Sequence, residues 1–176
     1  MIGLQDNDFA LFGLPEQFAQ DLALIQERWK TLQREAHPDK FAAQGAAAQR
    51  VAAQFAARIN EAHQRLRDPL ARAAYLCGLR GHPVDAHSNT AMPAAFLMQQ
   101  MAWREDLEEA KNTQNERILD NIAKVSSDSL SLLLQKIELL LDVEQNPIQA
   151  AQRVREALFI QKFRQDLDSA YDKLAA

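Results

Sequence analysis

The sequence predicts an all-α protein of two helical units, and three observations carry that prediction. Apolar residues are plentiful at 47% and recur at helical spacing in long segments. The 5 glycines and 6 prolines are scarce and cluster at a few boundaries. The sequence holds neither tandem repeats nor long low-complexity tracts. With 176 residues, there is room for one large or two small domains, each with a modest core.

Phe9, Leu11, Phe12 and Leu14 form a compact apolar opening that Pro15 ends. Asp21 can cap a helix running to about His37, with Leu22, Ile25, Trp29, Leu32 and Ala36 on one face. His37-Pro38-Asp39 then forms a short loop, because Pro38 lacks an N–H and biases His37 away from the helical region. A second helix from about Gly45 to Arg67 carries Val51, Phe55, Ile59, Ala62 and Leu66 at helical spacing. Asp68-Pro69 ends it and starts a short helix to Leu79. Residues 1–80 therefore read as an antiparallel helical hairpin with a short helix at each end.

Residues 81–92 have weak periodicity and several turn formers, so they read as a linker. Residues 93–176 read as a three-helix bundle. Its first helix runs from about Pro93 to Lys111 and its second from about Asn115 to Val143. Ser126-Ser127-Asp128-Ser129 crosses the second helix and leaves its continuity open. Pro147 suits the first turn of the third, which ends near Leu174.

Composition excludes several functions. The lone Cys77 rules out a disulfide framework and Cys-x-x-Cys sites. The net charge of −4 hides an asymmetry: residues 1–80 carry ten Lys/Arg against nine Asp/Glu, and residues 81–176 ten against fifteen. No dominant basic face suggests nucleic acid. Gln135, Lys136 and Glu138 break the richest leucine run, so no membrane span is expected. The N-terminus lacks the pattern of a signal peptide, and a cytoplasmic protein is expected.

On the helix before the loop, Lys30 and Arg34 lie one turn apart opposite the apolar stripe, with Arg28 at the flank and Lys40 in the loop. This is either a docking strip for an acidic partner or a solvated face diluted by Glu27 and Glu35. The adjoining loop favours docking. His37 and Asp39 could in principle form a base with its orienting acid. Neighbours in a surface loop, with no cleft or nucleophile implied, point away from catalysis.

The first bundle helix has a second exposed face. With Phe96 at 0°, Trp103, Leu107 and Ala110 fall within about 40° of it. Met98, Met101, Glu105 and Glu109 fall between about 140° and 220°, bordered by Leu97 and Glu108. An apolar patch rimmed by carboxylates suits an adaptable partner surface, although Met98 and Met101 packing under the linker or against residues 1–80 is the plainer alternative. Cys77, His82, Asp85 and His87 fit no rigid ligand pair, so no metal site and no cofactor is expected. His63, on a flank of its helix, is expected to be solvated.

The first 80 residues resemble the J-domain family, in which His-Pro-Asp lies between a basic second helix and an antiparallel third. One departure is Ala36, where many J-domains carry an aromatic residue. The resemblance narrows to the HscB family of iron–sulfur assembly co-chaperones. It rests on Leu11-Phe12-Gly13-Leu14-Pro15, His37 to Phe41, Ile59-Asn60, Asp68-Pro69-Leu70 and Arg72 to Leu76. Ala95-Phe96-Leu97-Met98 and Arg104-Glu105-Asp106-Leu107 extend it into the bundle. The absence of an N-terminal cysteine-pair zinc site resembles the bacterial type.

The resemblance implies that His37, Pro38 and Asp39 trigger ATP hydrolysis by a seventy-kilodalton heat-shock chaperone (HscA type), supported by Arg28, Lys30, Arg34 and Lys40. The chain would then be a cofactor protein and not an enzyme. It further implies that Leu97, Met98, Met101, Glu105 and Glu109, with Phe159 on the last helix, grip an iron–sulfur scaffold protein (IscU type). Ala102 stands where relatives often carry an acid. The alternative is a general J-domain protein that delivers other clients to a DnaK-type chaperone.

Overall fold

The computed structural model describes residues 6–84 and 92–174, and among them it is all-α with no strand. The chain divides into two units, Met1–Leu76 and Cys77–Ala176. Residues 85–91 of the expected linker, with Asp85 and His87, lie outside the described residues.

In the first unit, α1 (Asp8–Phe12) is a single short turn capped by Asn7, whose side chain accepts from the Ala10 N–H at 2.8 Å. Gly13 closes it with φ +62°, a left-handed conformation that glycine adopts without strain. A helix this short is not stable alone. Phe9, Leu11 and Phe12 are buried, and so is Asp8. Its carboxylate accepts from Arg58 at 2.5 Å and Arg65 at 2.8 Å, and its backbone N–H donates to the Tyr75 hydroxyl at 3.0 Å. These bonds tie α1 to α3 (Ala46–Arg67) and α4 (Pro69–Leu79).

Asp21 caps α2 (Leu22–Glu35), accepting from the N–H groups of Ala23 and Leu24. Gln26 meets His63, Trp29 donates to Asn60 at 2.9 Å, and Gln33 donates to Ala56 and Asn60. Rising numbers on α2 meet falling numbers on α3, so the pair is antiparallel. This register explains two departures from the expected stripes. Leu22 is exposed because the residue level with it is Arg67, the end of α3. Val51 is exposed because it lies level with Pro38, beyond the end of α2.

His63 is buried, contrary to the solvated position expected. Its ring stacks on Trp29 with centroids 4.8 Å apart. Burial, and secondarily Arg67, hold its pKa below the usual histidine value. Asp68 caps α4 by accepting from the Ala71 N–H at 2.7 Å. Arg72 is buried, donating to the carbonyls of Phe18 and Leu66.

In the second unit, α5 (Ala94–Thr113), α6 (Glu116–Glu138) and α7 (Pro147–Leu174) form the bundle. Phe96, Trp103, Leu119, Ile122, Ile160 and Phe163 build its core, with the Trp103 and Phe163 rings 5.5 Å apart. The serine segment does not break α6: Ser126 is buried and its hydroxyl donates to the Ala123 carbonyl. A π turn at Leu139–Val143 follows, with adjacent Leu140 and Leu141 both buried. Asn146 then accepts from the Gln149 N–H at the start of α7.

Candidate functional site

The His-Pro-Asp segment is not an irregular loop but the start of a 3-10 helix, Pro38–Gln44. His37 is its cap, with extended backbone, and Pro38 occupies the first turn, where its missing N–H costs nothing. The His37 ring nitrogen Nδ1 accepts from the Asp39 N–H at 3.3 Å, and the Lys40 N–H donates to the His37 carbonyl at 3.0 Å. Nδ1 also lies 3.6 Å from the Asp39 carboxylate. These local bonds fix the turn while its functional groups face water: the Asp39 side chain is 87% exposed and that of His37 58%. A base and acid so open to solvent have nothing to exclude water from a reaction.

Arg28, Lys30, Arg34 and Lys40 are all exposed, and none forms an ion pair among the described residues. Four solvated cations beside an exposed carboxylate can steer an acidic surface toward the turn. Behind the turn lies an apolar cavity of about 520 Å³, lined by Ala36, Phe41, Val51, Ala52 and Phe55. Ala36 is buried at its base. An aromatic side chain at that position has the volume to fill much of it.

The second face is on α5. Phe96, Trp103, Leu107 and Ala110 point into the bundle. Leu97, Met98, Met101, Glu105 and Glu109 are exposed on the other side of the helix, Met98 at 71% and Met101 at 61%. Phe159, on α7, is 37% exposed. Met98 and Met101 thus put flexible, polarisable side chains in solvent beside the carboxylates of Glu105 and Glu109, a composition that can adapt to an apposed surface.

Among the described residues, no group of three or more His, Cys, Asp or Glu side chains could hold a metal. Cys77 is fully buried, and burial pushes its thiol pKa up to about 11. What sequence reasoning missed is the Asp8 cluster beneath α1, which joins residues 50 and 57 positions apart.

A family model described as the HSCB C-terminal oligomerisation domain matches residues 92–168. The co-chaperone protein HscB homolog of Paraburkholderia phymatum is 44% identical over 174 residues, covering 99% of both chains. This chain belongs to the HscB co-chaperone family. The HscB homolog of Burkholderia vietnamiensis is 42% identical over the same length. Among solved structures, HscB from Vibrio cholerae superposes with a TM-score of 0.83 at 34% identity, covering 96% of this chain and 99% of that one. Human HscB shares the fold, with a TM-score of 0.86 at 21% identity over 93% of this chain and 81% of that chain. The HscB relationship spans both units, so the His-Pro-Asp turn and the methionine face belong to one co-chaperone.

Proposed function

We propose that this HscB-family chain uses its two faces for two partners in iron–sulfur cluster assembly. Through His37, Pro38, Asp39 and the cations of α2 it activates the ATPase of an HscA-type chaperone. Through Leu97, Met98, Met101, Glu105, Glu109 and Phe159 it carries an IscU-type scaffold protein to that chaperone. The observation that carries this reading is the exposed, locally braced His-Pro-Asp turn beside four cations without ion pairs. Membership of the HscB family supports it over a lone resemblance of motif.

In this reading the chain is not an enzyme and holds no cofactor. Nucleotide binding and hydrolysis reside in the chaperone, and docking at Asp39 biases that partner toward its hydrolysis-competent state. The scaffold is presented to the chaperone's peptide groove at the same moment, and hydrolysis traps it. The site of action is the cytoplasm; no described helix is long and apolar enough to cross a membrane.

The test is ATP hydrolysis by the HscA-type chaperone with this protein and the scaffold, each alone and together. Stimulation by this protein that grows when the scaffold is added supports both faces. Asp39→Ala is expected to abolish stimulation and leave scaffold affinity within about twofold. Met98→Ala with Met101→Ala is expected to weaken the scaffold complex by about tenfold or more while stimulation without scaffold persists. A folded variant that lost both activities would break the two-face reading. Stimulation of a DnaK-type chaperone alone would favour the general J-protein.

A further inference from the structure

The exposed side of α5 is also where the chain presents its sulfur to solvent. Of the 4 methionines in the sequence, Met98 and Met101 stand 71% and 61% exposed. Met92 is only partly exposed and packs against the core of the bundle. Cys77, the one thiol, is fully buried, and burial pushes its pKa up to about 11, so little thiolate is present to react first. An oxidant that acts on sulfur therefore meets Met98 and Met101 before the other described sulfur atoms.

The local sequence leaves these two thioethers open. They lie three residues apart, so both occupy one face of the helix. A helical side chain leans over the turn before it, which makes residue 102 the one placed to cover Met98. That residue is Ala102, itself exposed and too short to do so. The fold does not depend on either sulfur, because Phe96, Trp103, Leu107 and Ala110 fill the bundle from the opposite side of α5. Oxidation here turns an apolar thioether into a polar sulfoxide on the surface and leaves the core intact. Residues 28–44, which hold the His-Pro-Asp turn and its cations, contain neither Met nor Cys.

We propose that Met98 and Met101 form a paired oxidation site through which hydrogen peroxide reversibly switches off scaffold binding. The proposal rests on the reading of this face as the scaffold grip. A lone pair on each sulfur attacks one peroxide oxygen, and the S–O bond forms as the O–O bond breaks. The departing hydroxide takes the proton of the transferred oxygen and leaves as water. Each sulfur loses two electrons and each peroxide gains two. A methionine sulfoxide reductase reverses the step with two thiols, giving back the thioether, one water and one disulfide. A bound scaffold covers both sulfurs, so loading and oxidation exclude each other.

The test treats the full chain with hydrogen peroxide and localises each added oxygen by tandem mass spectrometry. Met98 and Met101 should oxidise about fivefold faster than Met92, and saturating scaffold should slow both by about tenfold. The doubly oxidised chain should bind the scaffold about tenfold or more weakly, with unchanged circular dichroism. Its stimulation of the chaperone without scaffold should persist. Methionine sulfoxide reductases with a dithiol should restore scaffold affinity to within about twofold. Met98→Leu with Met101→Leu sets a starting affinity of its own, which peroxide should not lower further. Where that variant fails to bind, rescue of the parent chain by the reductases decides.

Oxidation of Met92 as fast as that of Met98 and Met101 overturns the proposal, and so does scaffold affinity that peroxide leaves unchanged. Sensitivity that survives in the leucine variant, or that the reductases do not reverse, places the damage elsewhere and overturns it too. Failure of the unoxidised chain to bind the scaffold is a separate result: it overturns the reading of the face, and the switch falls with it.

Discussion

Among the described residues, each unit buries one carboxylate, and the two do different work. Asp8, fully buried in the first unit, is held by Arg58, Arg65 and, through its backbone, Tyr75. Those partners lie 50, 57 and 67 residues away in sequence. Glu156, 2% exposed in the bundle, is held by Arg153, one turn back on its own helix. The difference follows from helix length. A five-residue α1 presents too little apolar surface to fix its own place, so a charged staple sets its register. The bundle helices of 20 to 28 residues bury continuous stripes and need no such device.

The sharpest way to break this comparison is Asp8→Asn. It leaves two guanidinium groups facing a lost anion, a change that costs about 3–5 kcal/mol when a buried pair is broken. The chain has two tryptophans, Trp29 in the first unit and Trp103 in the second, so single-tryptophan variants report each unit separately. Urea unfolding followed at Trp29 should shift to much lower denaturant, while the transition at Trp103 stays close to its original midpoint. Equal losses at both probes would mean that Asp8 is no local staple.

A smaller effect comes from His63, which sharpens the comparison by giving the first unit a pH dependence of its own. Burial, with Arg67 second, lowers its folded pKa, so the folded unit resists the proton that the unfolded chain accepts. The contribution is full above the ordinary value of about 6.5 and is lost as pH falls toward the lowered folded value. The Trp29-reported stability should decline from pH 7.5 to 5.5 by less than the Asp8→Asn loss. His63→Gln should flatten the decline. An unchanged slope in that variant would assign the proton to another group.

The same contrast separates what was legible in the sequence from what was not. Periodicity and capping located α2 to α7 within a few residues, since both are carried by near neighbours along the chain. The angular reading of α5 separated buried Trp103 and Leu107 from exposed Met98 and Met101 for the same reason. It misjudged Leu22 and Val51, because a helical wheel does not show where the partner helix ends. It missed the burial of His63, which depends on Trp29 reaching across from another helix. Asp8 looked like an ordinary acid near a helix start. Its importance lies in arginines 50 and 57 residues away, which local pattern does not connect. The 3-10 helix after His37 was likewise hidden, because His-Pro-Asp signals a break without specifying the turn that follows.

The smallest effect is expected at Glu156, and it tests the other half of the comparison. Burial raises the Glu156 pKa despite the opposing influence of Arg153, Lys136 and Arg155. The ionised side chain is thus less comfortable in the fold than in water. Relative to the unfolded chain, its contribution is best below about 4.5 and is lost as pH rises through the raised folded value. Glu156→Gln keeps the shape, removes the charge and leaves Arg153, partly exposed, free to reach solvent. At pH 7 the change should alter the Trp103-reported stability by no more than about 1 kcal/mol in either direction. The variant should gain on the parent chain as pH rises from 4.5 to 7. A loss as large as that of Asp8→Asn at every pH would show that the bundle, too, depends on a charged staple, and that helix length does not decide where such staples are needed.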